Sequence, residues 1–351
     1  MYKNSHKKRQ RILVTVGAGY IGSMFIRDAL KSGYNVRCLD LLIYGDKALR
    51  TILKHPRFEF EKGDIRDRHL VKKVLHGVDS VVHLAAIVGD LPCRAAPKST
   101  VEINFKGTQL LAHYAKELGI NRLVFASTCS NYGVMNSDTA VEETSELNPV
   151  SLYAETKIDA ETFLSSISSP DFSVTILRFA SAYGISYRTR FDLLINSLTY
   201  EAWKNNEITV FAANTWRPYI HISDMSLILK TVLEAPLKNV CGQIFNAGSN
   251  EQNLTKEMLI KILQKNLPTL KIRLVNTIDD RRNYFVNFDK LKKMVGFKPR
   301  KSIEDGIREI LDSFNKGLLT KEDFEVNKLE TLENFFKEKE DSLKNEISLL
   351  S

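Results

Sequence analysis

Short apolar segments alternate with amphipathic ones along the first half of the chain. Runs of apolar and β-branched residues predict six strands, at Arg11–Val16, Tyr34–Leu39, Phe58–Glu61, Ser80–Leu84, Arg122–Ala126 and Ser173–Leu177. Apolar residues at helical spacing follow the first strand through Leu30 and recur at Asp67–Leu75 and Lys106–Leu118. This alternation predicts βαβ units, and therefore an α/β fold with a doubly wound parallel sheet covered on both faces.

The second half of the chain has a looser rhythm. It predicts three helices, one strand and one loop, at Leu193–Lys204, Met225–Glu234 and Lys256–Lys265, at Ile208–Phe211, and at Asn214–Pro218. We interpret residues 1–10 as a basic tail, 11–180 as the sheet domain and 181–315 as a smaller mixed α/β domain. The chain is expected to cross between these two domains.

Residues 316–351 are predicted to form a helical tail. Apolar residues recur there at every seventh position, at Leu329, Phe336, Leu343 and Leu350. This spacing predicts a helix with one apolar stripe. Because Lys339 and Glu346 interrupt the rest of the seam, we expect the stripe to pack on its own subunit or on a dimer partner, not in a long coiled coil.

The composition of the 351 residues is that of an ordinary globular protein, with 43% hydrophobic and 26% charged residues. A chain of this length can bury a core without disulfides or metals, which excludes disulfide-scaffold, collagen-like and disordered classes. No apolar stretch approaches the ~20 residues that a membrane span needs. The four cysteines are scattered without a CxxC pair, which predicts no metal site and fits a reducing cytoplasm.

The formal net charge of +8 raises the possibility of nucleic-acid binding. Five basic residues are concentrated before the end of the first predicted strand, at Lys3, Lys7, Lys8, Arg9 and Arg11. A basic terminus of this kind is typical of a solvated tail, and it lacks the apolar region of a secretory signal. We expect a cytoplasmic protein that binds neither nucleic acid nor membrane.

A glycine motif joins the first strand to the first helix. Gly17-x-Gly19-x-x-Gly22 permits a tight turn and lets backbone N–H groups approach a pyrophosphate at the positive end of a helix. Asp40 ends the next strand, where a carboxylate accepts hydrogen bonds from ribose hydroxyls and repels a 2′-phosphate. The pair predicts a dinucleotide site with NAD favoured over NADP. The alternative is a glycine turn that only connects the strand to the helix.

Two further strand ends are candidates for the same site. Asp64 follows the third strand and is a candidate for the adenine amino group, with Ile65 packed on the ring. A loop aspartate without a ligand is an equally good interpretation of Asp64. Leu84, Ala85 and Ala86 end the fourth strand, and small residues there let the backbone lie close to a cofactor.

A tyrosine and a lysine stand one helical turn apart in the segment after the fifth strand. Tyr153 and Lys157 share a helix face, where an ammonium group favours the phenolate, so that the tyrosine can act as a base. Tyr200 and Lys204 repeat the spacing in a segment that predicts a packing helix. Only the first pair follows a strand that ends in hydroxyl residues, including Thr128, at the sheet edge where ligands bind.

The order of these motifs resembles a known family. Gly17-Ala-Gly-Tyr-Ile-Gly22, Asp40, Gly63-Asp64, His83-Leu-Ala-Ala86, Ser127-Thr128, Tyr132-Gly133, Tyr153, Lys157 and Arg217-Pro-Tyr-Ile-His221 are similar to those of extended short-chain dehydrogenases/reductases. The resemblance is to the NAD-dependent epimerase/dehydratase family of nucleotide-sugar enzymes, over about residues 10–312. It implies a Rossmann domain that binds NAD, a second domain that binds a nucleotide-diphosphate sugar, and commonly a homodimer formed through a four-helix bundle.

The resemblance also implies roles for residues of the site. Thr128 should hydrogen-bond the reacting sugar oxygen, Tyr153 should take its proton, and NAD should take the hydride. Lys157 should also hold the nicotinamide ribose, and Tyr20 and Ile21 of the glycine motif count among the cofactor residues. In the 4,6-dehydratases of the family an Asp–Glu pair follows the threonine. Here Cys129-Ser130 stands in its place, so dehydration is not expected.

One position departs from the family pattern. The usual first glycine of TGxxGxxG is Val16 in this chain, and its branched side chain is expected either to crowd the adenosine side or to require a backbone shift. Since the rest of the motif is intact, we predict that NAD still binds, with altered affinity.

Arginines are candidates for the diphosphate of the substrate, which a guanidinium binds in a bidentate fork. By resemblance, Arg217 and Arg282 occupy such positions, and Arg188 and Arg190 lie in a loop that can line the same cleft. Each arginine taken alone is as well explained by a surface ion pair, whereas four together favour a phosphate site. His221 nearby is interpreted as a structural histidine.

Several segments resemble a branch that includes GDP-heptose 4-dehydrogenases of capsule biosynthesis, namely Ala86–Cys93, Arg190–Leu194, Ala247–Asn250, Asn253–Lys256 and Arg282–Tyr284. The sequence therefore predicts oxidation at C4 of a nucleotide-diphosphate sugar, by a 4-dehydrogenase or a 4-epimerase. The alternatives are a 4-keto-sugar reductase and a non-catalytic NAD-binding scaffold.

Overall fold

A seven-stranded parallel sheet organises the computed structural model of the protein, which describes residues 10–135, 139–275, 283–320, 323, 331–332 and 334–336. The strands of the described residues are β1 (Arg11–Thr15), β2 (Asn35–Asp40), β3 (Phe58–Lys62), β4 (Ser80–His83), β5 (Arg122–Thr128), β6 (Ser173–Phe179), β7 (Ser181–Tyr183), β8 (Glu207–Phe211), β9 (Trp216–His221), β10 (Gln243–Ala247), β11 (Asn253–Thr255) and β12 (Lys271–Val275). The main sheet has the order β10-β6-β5-β4-β1-β2-β3, and every pairing in it is parallel.

Helices connect these strands in the manner of βαβ units. They are α1 (Tyr20–Lys31), α2 (Arg68–Leu75), α3 (Asp90–Ala95), α4 (Pro97–Val101), α5 (Thr108–Glu117), α6 (Leu152–Ile167), α7 (Leu194–Asn205), α8 (Ile222–Glu234), α9 (Leu237–Val240), α10 (Lys256–Asn266), α11 (Asp289–Val295) and α12 (Ile303–Asn315). A π-helical turn, Glu102–Gly107, precedes α5, and a 3₁₀ turn, Cys129–Tyr132, follows β5.

The core lies in two layers, one on each face of the main sheet. Phe25 and Ile26 of α1 pack with residues of α8 on one face, while Val71, Leu111 and Leu164 of α2, α5 and α6 cover the other. All residues of β4 and β6 are buried, as expected for central strands of a parallel sheet covered on both sides. The predicted fold class is confirmed.

The second half of the chain contributes to the main sheet and also builds two smaller ones. β10 pairs with β6 at the edge of the main sheet, and α8 packs on α1. A three-stranded sheet has the order β11-β9-β7, and β12 pairs with β8. The predicted loop at Asn214–Pro218 is wrong in part, because β9 begins at Trp216.

The predicted tail is described in part. Leu332 and Phe336 are buried in the same core cluster as α5 and α6, whereas Leu329, Leu343 and Leu350 lie outside the described residues. Lys47 and Asp323 form an ion pair of 2.5 Å that ties the start of this segment to the region after β2. Each helix that the structure describes is too short or too polar to span a bilayer.

Candidate active site

The glycine motif forms the turn between β1 and α1. A Cβ atom on Gly22 would lie 2.3 Å from the carbonyl oxygen of Val16, so glycine is required for α1 to approach the turn this closely. Gly17 is similarly enclosed, since its Cβ would lie 2.4 Å from the side chain of Ile26. The turn therefore leaves the amino end of α1 free of side chains from these two positions.

Asp40 ties the glycine turn to the end of β2. Its Oδ2 accepts a hydrogen bond from the backbone N–H of Ala18 at 2.8 Å, and its Oδ1 accepts one from Leu42 at 2.7 Å. Burial raises the pKa of this carboxyl, while the two N–H donors and the charge of Arg188 oppose that change. Asp40 thus stands where the sequence places it, and its contact with the ribose remains a prediction.

Val16 is in a backbone conformation that valine rarely adopts. Its φ of 56° lies in the left-handed region, which a β-branched side chain disfavours. The N–H of Val16 donates to the Leu39 carbonyl at 2.7 Å, and its carbonyl accepts from Gly19 at 3.2 Å. These bonds hold the residue in the conformation that the usual glycine would take without strain.

We expect Val16→Gly to have a higher free energy of unfolding than Val16→Ala. At a left-handed position alanine retains Cβ strain of about 1–2 kcal/mol, which glycine lacks. This exceeds the ~0.5–1 kcal/mol by which glycine is ordinarily the less stable residue. Urea unfolding measures both variants, and the pair Val36→Gly and Val36→Ala in β2 is the control, where alanine should be the more stable. An alanine variant at position 16 that equals the glycine variant would contradict the assignment of strain.

A pocket opens at the carboxyl ends of β1, β2, β3 and β4. It is lined by Val16 and by five of the predicted cofactor residues, Asp40, Asp64, Ile65, Ala85 and Ala86. The backbone N–H groups of Leu84 and Ala85 donate to Thr15 Oγ1 at 2.9 and 3.0 Å, which fixes the chain behind the pocket wall. The predicted cofactor residues of three strand ends therefore meet in one pocket.

Two predicted cofactor residues have their polar groups engaged within the protein. Asp64 pairs with Arg66, with Nη2 to Oδ2 at 2.7 Å and Nε to Oδ1 at 3.0 Å. The hydroxyl of Tyr20 donates to the carbonyl of Gly184 at 2.6 Å, so this side chain joins the glycine turn to the second half of the chain. Ile21 packs half-buried against the core.

The three predicted catalytic side chains meet at the carboxyl end of β5, beside β4. Thr128 is the last residue of β5, and its side chain acts to lower the pKa of the Tyr153 phenol. Tyr153 and Lys157 occupy the first two turns of α6, which begins after the capping residue Ser151. Lys157 Nζ donates to the carbonyl of Ala126 at 2.8 Å. The sequence spacing therefore brings these groups to the edge of the sheet where the pocket opens.

Several groups act on the pKa of Tyr153. Burial raises the pKa of the phenol, and the ionised forms of Cys93 and Asp90 would act in the same direction. Arg190 and the side chain of Thr128 oppose them. Arg190 is therefore a cation that favours the phenolate in addition to Lys157, which the sequence predicts for this role and whose ammonium group is bonded to the Ala126 carbonyl.

Lys157 is enclosed by the sheet and by α6. Burial lowers its pKa to about 8, and the carboxylate of Glu161, one turn further along α6, opposes that change. Its ammonium group also lies 4.5 Å from the centre of the Phe125 ring. Lys157 thus titrates near neutrality, where its charge depends on its neighbours.

The three described arginines of the predicted phosphate site have different surroundings. Arg188 stacks 3.8 Å from the centre of the Tyr44 ring, and its charge opposes the rise in the pKa of Asp40. It therefore lies toward the cofactor side. Arg190 forms an ion pair with Asp192, and its charge also interacts with the phenol of Tyr153. It therefore lies toward the predicted catalytic side chains. Arg217 is buried on β9 with its guanidinium 5.1 Å from the centre of the Tyr284 ring. Arg282 lies outside the described residues.

Sequence reasoning missed three groups near the reacting side chains. The ionised forms of Asp90 and Cys93 would raise the pKa of Tyr153, and the carboxylate of Glu161 opposes the lowering of the pKa of Lys157. Asp90 and Cys93 follow the carboxyl end of β4, where ligands of open α/β sheets bind, so that rule would have found them. The four-residue step from Lys157 indicates Glu161 in the same way that it indicates Lys157 from Tyr153. Tyr200 packs instead in an aromatic cluster with Phe191 and Phe314, as a packing helix requires.

Comparisons with known proteins agree with this arrangement. Low-salt glycan biosynthesis protein Agl12 of Haloferax volcanii is 30% identical over 86% of this chain and 98% of its own length. The dTDP-glucose 4,6-dehydratase of Streptomyces niveus is 29% identical over 86% of this chain and 92% of its length. The crystal structure of UDP-glucuronic acid 4-epimerase from Bacillus cereus, in complex with UDP-glucuronic acid and NAD, has a TM-score of 0.79. That epimerase is 25% identical, over 88% of this chain and all of its own.

The model of one protein family matches residues 12–248, from β1 to the residue after β10. That span exceeds half of the chain and includes the glycine turn, the pocket and the Thr128–Tyr153–Lys157 group. The predicted family, enzyme class and cofactor are confirmed. The chain belongs to the NAD-dependent epimerase/dehydratase family.

Proposed function

We propose that the protein oxidises C4 of a nucleotide-diphosphate sugar with NAD, as a 4-dehydrogenase or a 4-epimerase. The position of Thr128 at the end of β5, beside Tyr153 in the first turn of α6, carries the proposal, because it brings a hydroxyl and a phenol to the sheet edge beside the pocket. Thr128 holds the sugar hydroxyl, and Tyr153 accepts its proton. Bound NAD supplies the hydride acceptor. In an epimerase the resulting ketone takes hydride back on its other face.

The residues of the pocket fit NAD. The enclosed glycines leave the backbone N–H groups at the amino end of α1 open to a pyrophosphate. Asp40 offers a carboxylate for ribose hydroxyls, and the small side chains of Ala85 and Ala86 leave room along the wall. In this proposal Lys157 holds the nicotinamide ribose by exchanging its bond to the Ala126 carbonyl for one to a ribose hydroxyl.

Proton removal by Tyr153 requires a positive charge nearby, because burial raises the pKa of its phenol. Arg190 supplies such a charge from the loop after β7. The proton then passes from the sugar hydroxyl to a phenolate that Arg190 and Thr128 stabilise. The role that the sequence gives to Lys157 alone is therefore shared with Arg190 in this proposal.

The residues after Thr128 favour oxidation or epimerisation over dehydration. Cys129 is buried, its pKa is raised by that burial, and its Sγ donates to the Arg178 carbonyl at 3.1 Å. The thiol is thus directed into the protein and away from a sugar. Ser130, the next residue, has no acid–base function near neutral pH. The activity of the dehydratase relatives is not proposed for this chain.

Arg188, Arg190, Arg217 and Arg282 are proposed to meet the nucleotide diphosphate. A GDP-heptose is the candidate substrate, on the resemblance of several segments to GDP-heptose 4-dehydrogenases. A homodimer and a cytoplasmic location also remain predictions. The burial of Leu332 and Phe336 within one subunit favours docking of the tail on its own chain.

A panel of GDP-, UDP- and dTDP-sugars that includes a GDP-heptose tests this proposal. Incubation with NAD is followed by NMR of the sugars and by NADH absorbance. We expect turnover of one sugar: NADH with a 4-keto product indicates a dehydrogenase, and an epimer without net NADH indicates an epimerase. In a parallel incubation with NADH and 4-keto sugars, consumption of NADH without turnover of any parent sugar would instead support the reductase alternative. NAD binding without turnover of any sugar would support the scaffold.

A further inference from the structure

The end of β5 is bound to α6 through three consecutive residues. Each of these residues, Ala126, Ser127 and Thr128, acts on a different side chain on one face of α6. The Ala126 carbonyl accepts from Lys157, the Ser127 hydroxyl donates to Glu161, and the Thr128 side chain acts on the pKa of Tyr153. Two of these three interactions involve groups of the proposed mechanism. The third, from the Ser127 hydroxyl to the carboxylate of Glu161, lies between the others along β5 and touches no group that the mechanism uses.

Glu161 is held in place by a buried partner from β6. Arg178 Nη2 lies 2.7 Å from Glu161 Oε2, and both side chains are 4% exposed. Asn131 Nδ2 donates to the other oxygen, Oε1, at 2.8 Å. Arg178 is fixed in turn by the Tyr132 hydroxyl, at 3.1 Å from Nη1. Each carboxylate oxygen therefore has a donor from a different element, which determines where this turn of α6 lies relative to the sheet.

The charge of Glu161 acts on Lys157. The described groups that face Lys157 are Phe125 of β5, Glu161 of α6, Cys93 of α3 and His83 of β4. Burial lowers the pKa of His83 to about 3 and raises that of Cys93 to about 11. Both are therefore neutral between pH 5 and 9, roughly two units inside these limits. Of the groups in this set, the carboxylate of Glu161 most strongly favours the ammonium form of Lys157.

We propose that Glu161, anchored by Arg178, is a positioning residue that sets α6 on β5 and holds the ammonium form of Lys157. It acts through Ser127 on the separation of Thr128 and Tyr153, and through its charge on Lys157. The first action rests on the proposed function, because it matters only if Thr128 and Tyr153 share a substrate hydroxyl. The second concerns the titration of one side chain and holds for any substrate.

The titration of Lys157 tests the second action directly. Lysines labelled with ¹³C at Cε are followed by NMR from pH 6 to 11, and the signal absent from Lys157→Arg identifies Lys157. The double variant Glu161→Gln, Arg178→Gln removes both buried charges, so it leaves no unpaired ion in the core. We expect Lys157 to lose its proton at lower pH in the double variant than in the parent protein. An unchanged midpoint would overturn this part of the proposal.

Ser127→Ala tests the first action without changing any charge. We expect kcat for the sugar turned over in the panel to fall by about 10- to 100-fold with KM little changed, since misplacement of ~1 Å has effects of this size. Ser173→Ala is the matched control. It removes a buried hydroxyl on β6, the strand that pairs with β5, at the end of that strand away from Ser127. This hydroxyl has no hydrogen-bond partner among the described residues. A kcat for Ser127→Ala equal to that of Ser173→Ala would overturn the positioning action.

Failure of the proposed function has a different signature. If no nucleotide sugar is turned over by the parent protein, the C4 chemistry fails and the positioning action fails with it. The NMR titration still supports or overturns the action of Glu161 on Lys157 in that case, since it needs neither sugar nor NAD.

Discussion

Replacing Tyr153 by phenylalanine is expected to reduce turnover of the nucleotide sugar by about 10²- to 10⁴-fold, the usual contribution of a positioned acid–base group. Phenylalanine keeps the buried ring, which is 9% exposed, and removes the hydroxyl beside Thr128. NAD binding should be retained because the glycine turn and Asp40 are unchanged. Steady-state kinetics gives kcat, and calorimetry gives the NAD affinity of the same preparation.

Tyr200→Phe is the control for this substitution. Tyr200 is 4% exposed and also precedes a lysine by four residues, but it lies in the aromatic cluster with Phe191 and Phe314. The two variants therefore lose the same atom from equally buried rings with the same sequence spacing. Full activity in Tyr153→Phe, or an equal loss in Tyr200→Phe, would show that Tyr153 is not the base.

The main sheet is predictable from sequence because each central strand is a short apolar run between amphipathic helices. β4 and β6 are buried along their whole length, so their apolar residues leave an unbroken pattern. The site residues at strand ends, such as Asp40 and Thr128, follow from the same pattern. The carboxyl ends of parallel strands share one edge, and polar residues placed there must lie near one another.

β9 shows where local sequence rules fail. Asn214 and Pro218 indicate a loop, because proline lacks the N–H that a central strand needs. In the structure Pro218 pairs with Asn253 of β11, while β7 pairs with β9 only from Tyr219 onward. Pro218 therefore has a strand on one side only, an arrangement that depends on two distant segments.

The electrostatics of the site are likewise tertiary. Arg190 comes from the loop after β7 and Asp90 from the helix after β4, yet both act on Tyr153. No spacing relative to Tyr153 links Arg190 to it, and Asp90 can be reached only through the rule that ligands bind at the carboxyl ends of strands. The left-handed conformation of Val16 is also set by its surroundings, since the family pattern indicates an altered residue there but not the φ that it adopts.

Glu161→Gln alone is expected to lower the free energy of unfolding by about 3–5 kcal/mol, the usual cost of removing one partner of a buried ion pair. The substitution leaves the guanidinium of Arg178, 4% exposed, without its counter-charge. In the double variant Glu161→Gln, Arg178→Gln most of that loss should be recovered, because two amides replace two ions. Urea unfolding of the parent protein, both single variants and the double variant measures the interaction energy.

Glu257→Gln provides the comparison for an exposed pair. Glu257 and Lys261 form an ion pair of 3.1 Å on α10 with side chains 52% and 70% exposed, and such pairs contribute about 0–1 kcal/mol. A loss in Glu161→Gln no larger than in Glu257→Gln would mean that water or a protonation change compensates Arg178, and that the pair does not fix α6. A large loss with recovery in the double variant would show that the two charges depend on each other. Because unfolding is measured without sugar or NAD, this result bears on the architecture of the site independently of the reaction that it catalyses.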